Sequence, residues 1–166
     1  MNPSEADTVE ELAEIGVAFL EVDIEAERCS VLHGDEQQSR PAIQCFSGFT
    51  VHELDILDWL QWNWESQLQS PRSLVDAEPE DFRGRYGLLI GLHSSQGQYL
   101  GLLHADRQIP FSRDHQIALQ AFALTYGQHL ESLMGPTLVA DLPAEELPPQ
   151  SAAPADCREL AWMDFC

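Results

Sequence analysis

His104 and Asp106 stand two residues apart in the run Gly101-Leu102-Leu103-His104-Ala105-Asp106, and that spacing in a strand puts both side chains on one face. An imidazole beside a carboxylate can sit at the rim of a pocket, contribute to a metal site, or form a hydrogen-bonded structural pair. His93 falls on the same face four ladder steps away, about 13 Å at roughly 3.3 Å per residue, so the two histidines cannot share one ion unaided. No third ligand is identifiable, and neither a metal nor any other cofactor is expected. Ser94-Ser95 belongs to a turn, and the chain has neither a nucleophile elbow nor an H-x-x-E-H arrangement. No catalytic residue is assigned, and the chain reads as a non-enzyme.

Composition narrows the chemistry further. Among 166 residues there are 28 acids and 8 basic residues, a formal charge of −20, and every basic residue is arginine. Without lysine there is no Schiff base, no lysine general base and no phosphate-loop lysine. A duplex with one phosphate charge per about 1.7 Å is repelled by such a surface, so neither nucleic acid nor an acidic membrane is an expected partner. A partner protein with a basic surface is permitted. Cys29, Cys45, Cys157 and Cys166 lack CxxC spacing and read as core or tail thiols. The acidic start Met1–Asp7 has no secretory pattern, and no apolar run approaches the roughly 18 residues of a spanning helix, so a cytoplasmic location is expected.

The elements that must position His93, His104 and Asp106 are two apolar runs, Gly87–His93 and Tyr99–Asp106, joined by Ser94-Ser95-Gln96-Gly97-Gln98. They read as a β-hairpin turning at Gln96-Gly97. Strict alternation from that turn places Leu88, Ile90, Leu92, Tyr99, Gly101, Leu103 and Ala105 on an apolar face. Leu89, Gly91, His93, Leu100, Leu102, His104 and Asp106 make a mixed one, which suits a sheet with helices on one side and a pocket on the other. Upstream, Thr8–Glu14 predicts a short helix ended by Gly16, and Val17–Asp23 with Cys29–His33 a first hairpin. Ala42–Phe46 is ambiguous between strand and helix approach.

Thr50-Val51-His52-Glu53 has the form of a capping box opening a helix to about Gln69, with Leu54, Leu57, Leu60, Trp64 and Leu68 as its stripe. Trp59 and Trp62 lie off that stripe. They serve as a stacking platform, a partner anchor, or part of a wide core face. Arg83 and Arg85, in the acidic loop before the central hairpin, can hold an anion or pair with local acids. Ser112 caps a last helix carrying two apolar stripes, Ile117/Ala121/Leu124 and Leu119/Phe122/Tyr126/Leu130/Leu133, with Gly135-Pro136 as its stop. Two stripes imply a second contact, and a homodimer through terminal helices is expected.

Gly101-Leu102-Leu103-His104-Ala105-Asp106-Arg107, then Phe111-Ser112-Arg113-Asp114 and the helix containing Ala121-Phe122-Ala123, resemble the closing portion of a GAF domain. The likeness is greatest to the GAF sensor domains of LuxR-type transcriptional regulators, here without the DNA-binding part, since nothing after Met134 resembles a helix-turn-helix. The resemblance implies an α+β fold, an antiparallel sheet flanked by helices, over residues 8–135. No cysteine lies in a Cys-His context for a covalent bilin, and the cysteine pattern of GAF-type methionine sulfoxide reductases is missing.

Residues 1–7 read as an extension and 136–155 as a Pro-rich acidic linker. Residues 156–166 concentrate Leu160, Trp162, Met163 and Phe165 in an apolar docking motif, which fits the chain's own domain or another protein. Two functions follow. The chain is an adapter acting through protein–protein contact, with Leu160, Trp162, Met163 and Phe165 binding the partner; or it is a single-domain sensor holding a small molecule near Trp59, Trp62, Arg85, His93, His104 and Asp106.

Overall fold

The computed structural model describes residues 2–34, 41–63, 74–80 and 82–141. The Thr8 side chain accepts a hydrogen bond from the Glu11 amide at 3.1 Å and starts helix α1, Val9–Val22. The strand expected over Val17–Asp23 is instead the second half of this helix. Leu12, Ala13, Gly16, Val17, Phe19 and Leu20 form one buried face at helical spacing, and full burial of a residue such as Leu12 or Leu20 stabilises by about 1.5–3 kcal/mol. Gly16 does not end the helix; it admits neighbours. A Cβ there would lie 3.0 Å from both the Tyr126 ring and the Val31 side chain.

Among the described residues five antiparallel strands follow, β1 Arg28–His33, β2 Ala42–Ser47, β3 Leu74–Ala77, β4 Tyr86–His93 and β5 Tyr99–Arg107, in the order β2-β1-β5-β4-β3. Loss of the Val17–Asp23 strand removes the expected first hairpin. β1 pairs with β2 and, centrally, with β5, opposing Arg28 to Asp106, Ser30 to His104 and Leu32 to Leu102. The ambiguous Ala42–Phe46 segment is thus a strand.

β4 and β5 form the expected hairpin, with one change of register. Leu92 opposes Gly101 but His93 opposes Tyr99, so Leu100 is an extra residue that swings Tyr99 to the other face. Tyr99 packs with Leu89 and Leu102, not with Leu88 and Ile90. Gly101 makes the bulge possible: its φ is +145°, and a Cβ would lie 2.1 Å from the Leu32 carbonyl oxygen.

One sheet face carries α1 and residues 113–133 of helix α3, Arg113–Asp141, which Ser112 caps by accepting from the His115 amide at 3.2 Å. Phe19 of α1 stacks on Phe122 of α3 with centroids 3.7 Å apart. α3 continues through Gly135 and Pro136 to Asp141, past the stop read from those residues. A proline lacks one amide donor, yet its own φ suits a helix.

The other face carries helix α2, Asp55–Asn63. Its start is more irregular than a capping box alone suggests: Val51–Glu53 is a 3-10 turn, with Glu53 accepting from the Thr50 amide at 3.0 Å. Of the expected stripe Leu57 and Leu60 are buried, joined by Ile56, while Leu54 stays 41% exposed; Trp64, Leu68 and the expected end near Gln69 lie outside the described residues. The chain divides into two units, Met1–Leu133 and Met134–Cys166. Of the second, Met134–Asp141 is helical, and the linker and docking motif lie outside the described residues.

Candidate functional site

Alternate residues of β1 and β5 project onto the α2 side of the sheet and build one polar cluster. His104 Nε2 lies 2.8 Å from Asp106 Oδ2, and His104 Nδ1 lies 2.9 Å from Ser30 Oγ. A carboxylate only accepts, so Nε2 carries the proton and donates to Asp106, while Nδ1 is hydrogen-bonded to the Ser30 hydroxyl. Asp106 Oδ1 receives Arg28 Nε at 2.8 Å and Arg85 Nε at 2.7 Å. Arg85 also pairs with Glu27, and Arg28 Nη1 lies 3.6 Å from Glu53.

Ser30, His104 and Asp106 all have zero exposure. Burial alone raises the Asp106 carboxyl, but hydrogen bonding and charge from His104 and Arg28 outweigh it and hold the group down to about 2. The site therefore contains a fixed carboxylate neutralised by two guanidinium groups. Serine, histidine and aspartate in a row suggest acyl-transfer chemistry, but the Ser30 hydroxyl is hydrogen-bonded to the ring at zero exposure, in a position no substrate can approach. The cluster is an internal brace joining β1, β5 and the loop before β4.

The rest of this face is filled by side chains. Leu32, Leu89, Tyr99 and Leu102 of the sheet meet Ile56, Leu57 and Leu60 of α2, with Phe82 closing the layer from the loop. Phe82 sits against His104 at 5.5 Å between centroids and edge-on to Trp59 at 5.4 Å. Trp59 is half-buried, with the Arg83 guanidinium 5.5 Å from its ring centroid, while Arg83 reaches Asp55 at 3.4 Å. Arg83 and Arg85 thus pair with acids.

The structure brings together Arg85, His104 and Asp106, with Trp59 near them through Phe82. His93 lies elsewhere, and Trp62 belongs to α2 with its side chain outside the description. Leu160, Trp162, Met163 and Phe165 lie outside the described residues. Arg28 and Ser30 are the members sequence reasoning missed. Their spacing with Leu32 was visible, but their relation to Asp106 and His104 exists only once β1 pairs with β5.

A groove of about 410 Å³ opens at the other end of the hairpin, between β4 and α3, lined among others by His93, Ser94, Gln120, Leu124 and Gln128. The His93 Nε2 atom is buried and has no hydrogen-bond partner among the described residues. No group of three or more His, Cys, Asp or Glu side chains suited to a metal ion occurs among the described residues. No described helix is long and apolar enough to cross a membrane.

No protein-family model matches the sequence, and no curated protein matches it. Among solved structures, it is similar to the GAF domain from a phosphoenolpyruvate-protein phosphotransferase of Coxiella burnetii. That likeness has 13% identity and a TM-score of 0.60, covering 82% of this chain and 90% of that one. The GAF domain of the cyanobacteriochrome TePixJ is similar at 16% identity and a TM-score of 0.59, covering 80% of this chain and 95% of that one. The GAF domain of an Acinetobacter phosphoenolpyruvate-protein phosphotransferase gives 13% and 0.57, covering 80% and 89%. At these identities the likeness shows the fold: an α+β antiparallel sheet with flanking helices of the GAF type.

Proposed function

We propose that this chain is a non-enzymatic regulatory adapter, built on a GAF-type fold, that works in the cytoplasm by binding another protein. The observation that carries this reading is the filled α2 side of the sheet. The space where a small molecule would lie between α2 and the sheet is taken by Leu89, Tyr99, Leu102 and Phe82, and by the braced pair His104 and Asp106. A ligand there would have to displace an ion network whose partners would be left buried and unpaired.

Two further features support the reading. Leu160, Trp162, Met163 and Phe165 form the partner-binding motif, and the charge of −20 favours a partner with a basic surface. Ile117 and Leu124, 51% and 55% exposed, stand on the outer stripe of α3 and provide the homodimer contact. A resemblance of Gly101–Arg107 and Phe111–Asp114 to the sensor domains of LuxR-type regulators supports a signalling role for the adapter, without direct DNA contact.

The test is native mass spectrometry of the protein isolated gently from its own cells, beside a chain lacking Asp156–Cys166. A bound protein lost on that deletion supports the adapter, whereas a partner retained by the shortened chain overturns the role of the motif. A dimer that becomes monomeric in Ile117→Glu/Leu124→Glu supports the α3 contact; a dimer that persists removes it.

The groove between β4 and α3 favours a second reading, a small-molecule sensor using the hairpin end. That reading requires an extra small mass in the same spectrum, together with ligand-dependent stabilisation of RT ln(1 + [L]/Kd) that His93→Ala abolishes.

A further inference from the structure

β2 is a terminal strand: β1 lies on one side and no described strand on the other. Its sequence Ala-Ile-Gln-Cys-Phe-Ser contains neither a charge nor a proline, although 22% of the chain is charged. Sheets usually protect such an edge with charge, proline or a covering element. The opposite edge, β3, does carry a charge, Asp76, bonded to Gln116 of α3 at 2.6 Å. β2 is largely exposed along its length.

The two flanks of this edge differ in chemistry. The extra residue between Ile43 and Cys45 keeps Ile43 and Phe46 on the same side, because Ile43 opposes Leu32 and Phe46 opposes Ser30. Both are exposed, by 37% and 45%, and Phe46 meets Phe49 edge-on at 5.9 Å. On the other side Ala42, Cys45 and Ser47 run beside α1. Ser47 donates to Glu21, and the Cys45 thiol is raised by burial and then by the nearby Glu14, with Glu21 adding to it. Glu14 and Glu21 are seven positions apart, about 10 Å along the helix, and both are exposed.

We infer that β2 takes a sixth strand from a partner protein, an extended segment alternating Lys or Arg with Val, Ile or Leu. Its apolar side chains lie on Ile43 and Phe46, and its basic ones face Glu14 and Glu21. Main-chain hydrogen bonds to β2 supply the affinity, and the two flanks supply the selection. A second copy of this chain is disfavoured at the same edge, since two-fold pairing of β2 with itself sets one α1 beside the other and brings acids together. The inference rests on the adapter reading and adds a contact on the folded domain, independent of the C-terminal motif.

The experiment titrates the full chain with two amidated hexapeptides, one alternating Arg and Val and the other Glu and Val, followed by amide chemical shifts and hydrogen exchange. The Arg–Val peptide should perturb and protect amides of residues 42–47. Glu14→Lys/Glu21→Lys should weaken that peptide at least tenfold and confer binding of the Glu–Val peptide, which also shows that the variant is folded. Phe46→Ser, on an exposed side chain, should weaken the Arg–Val peptide and reads the apolar flank separately. Perturbation spread over the acidic surface, or Arg–Val binding unchanged in both variants, overturns the inference. The adapter reading fails separately, if native mass spectra of the intact chain from its own cells show no bound protein.

Discussion

Asp106 Oδ2 and His104 Nε2 are joined at 2.8 Å with neither side chain exposed, two residues apart on the central strand β5. The same carboxylate receives Arg28 from β1 and Arg85 from the loop, so one side chain ties three segments together. Asp106→Ala leaves two guanidinium groups and an imidazole without their acceptor, and removal of one partner from a buried pair costs about 3–5 kcal/mol. Asp106→Asn preserves shape and one acceptor oxygen and should cost less. Urea unfolding followed by circular dichroism measures both. A loss under about 1 kcal/mol in the alanine variant, the level of an exposed pair, would show that the network is not a brace.

Acid should act on this protein in two separate windows. His33 is buried on the α1 and α3 side with Nε2 2.8 Å from the Tyr126 hydroxyl, and burial lowers its pKa from 6.5 to about 4. Between those values the unfolded chain binds a proton that the folded one refuses, so stability falls as pH drops from 6.5 to 4, by roughly 3 kcal/mol. Asp106 follows. Its folded value is depressed from 3.8 to about 2, so its stabilisation is present above 3.8 and is lost as pH falls toward 2, by roughly 2 kcal/mol. Urea midpoints from pH 7.5 to 2.5 should show both slopes. His33→Gln should flatten the upper window and leave the lower; an unchanged upper slope would assign that proton to another group.

The central hairpin, the Ser112 cap and the pairing of His104 with Asp106 on one face were legible because each depends on near neighbours in sequence. Turn residues, capping hydroxyls and period-two alternation operate over a few positions. Arg28 and Ser30 were not legible as site residues, since their partners lie 78 and 74 positions away and are set by the β1–β5 register. Tyr99 changed faces because a bulge at Leu100 breaks alternation, and Gly101 alone is a weak sign of it. Val17–Asp23 shows tertiary override: a β-rich composition forms helix because Val17, Phe19 and Leu20 bury together on α1.

Gly16 tests that last point. Its Cα hydrogen faces the contact between the Tyr126 ring and Val31, where a Cβ already arrives at 3.0 Å. Gly16→Ala gains helix propensity of about 1 kcal/mol but must push those neighbours apart, so the two effects nearly offset. Gly16→Val adds two methyl groups with nowhere to go and should destabilise by about 1–3 kcal/mol. Thermal unfolding of both variants measures the difference. A valine variant as stable as the parent would mean that α1 and α3 can separate at no cost.

Cys29 lies on the same side as Gly16, fully buried, with its thiol directed at the Val17 carbonyl at 3.8 Å. Burial, then the negative charge of Glu21, pushes its pKa to about 12. The thiolate is the reactive form, so Cys29 at neutral pH has both its ionisation and its access suppressed. Cys45 on β2 is half-buried, with its thiol raised first by burial. A thiol-labelling time course at pH 7.5, read by peptide mass, should therefore mark Cys45 well before Cys29, and Cys29 at a rate that rises with urea in step with global unfolding. Labelling of Cys29 at a urea-independent rate would instead place α1 among the elements that open locally, a result the stacked Phe19 and Phe122 argue against.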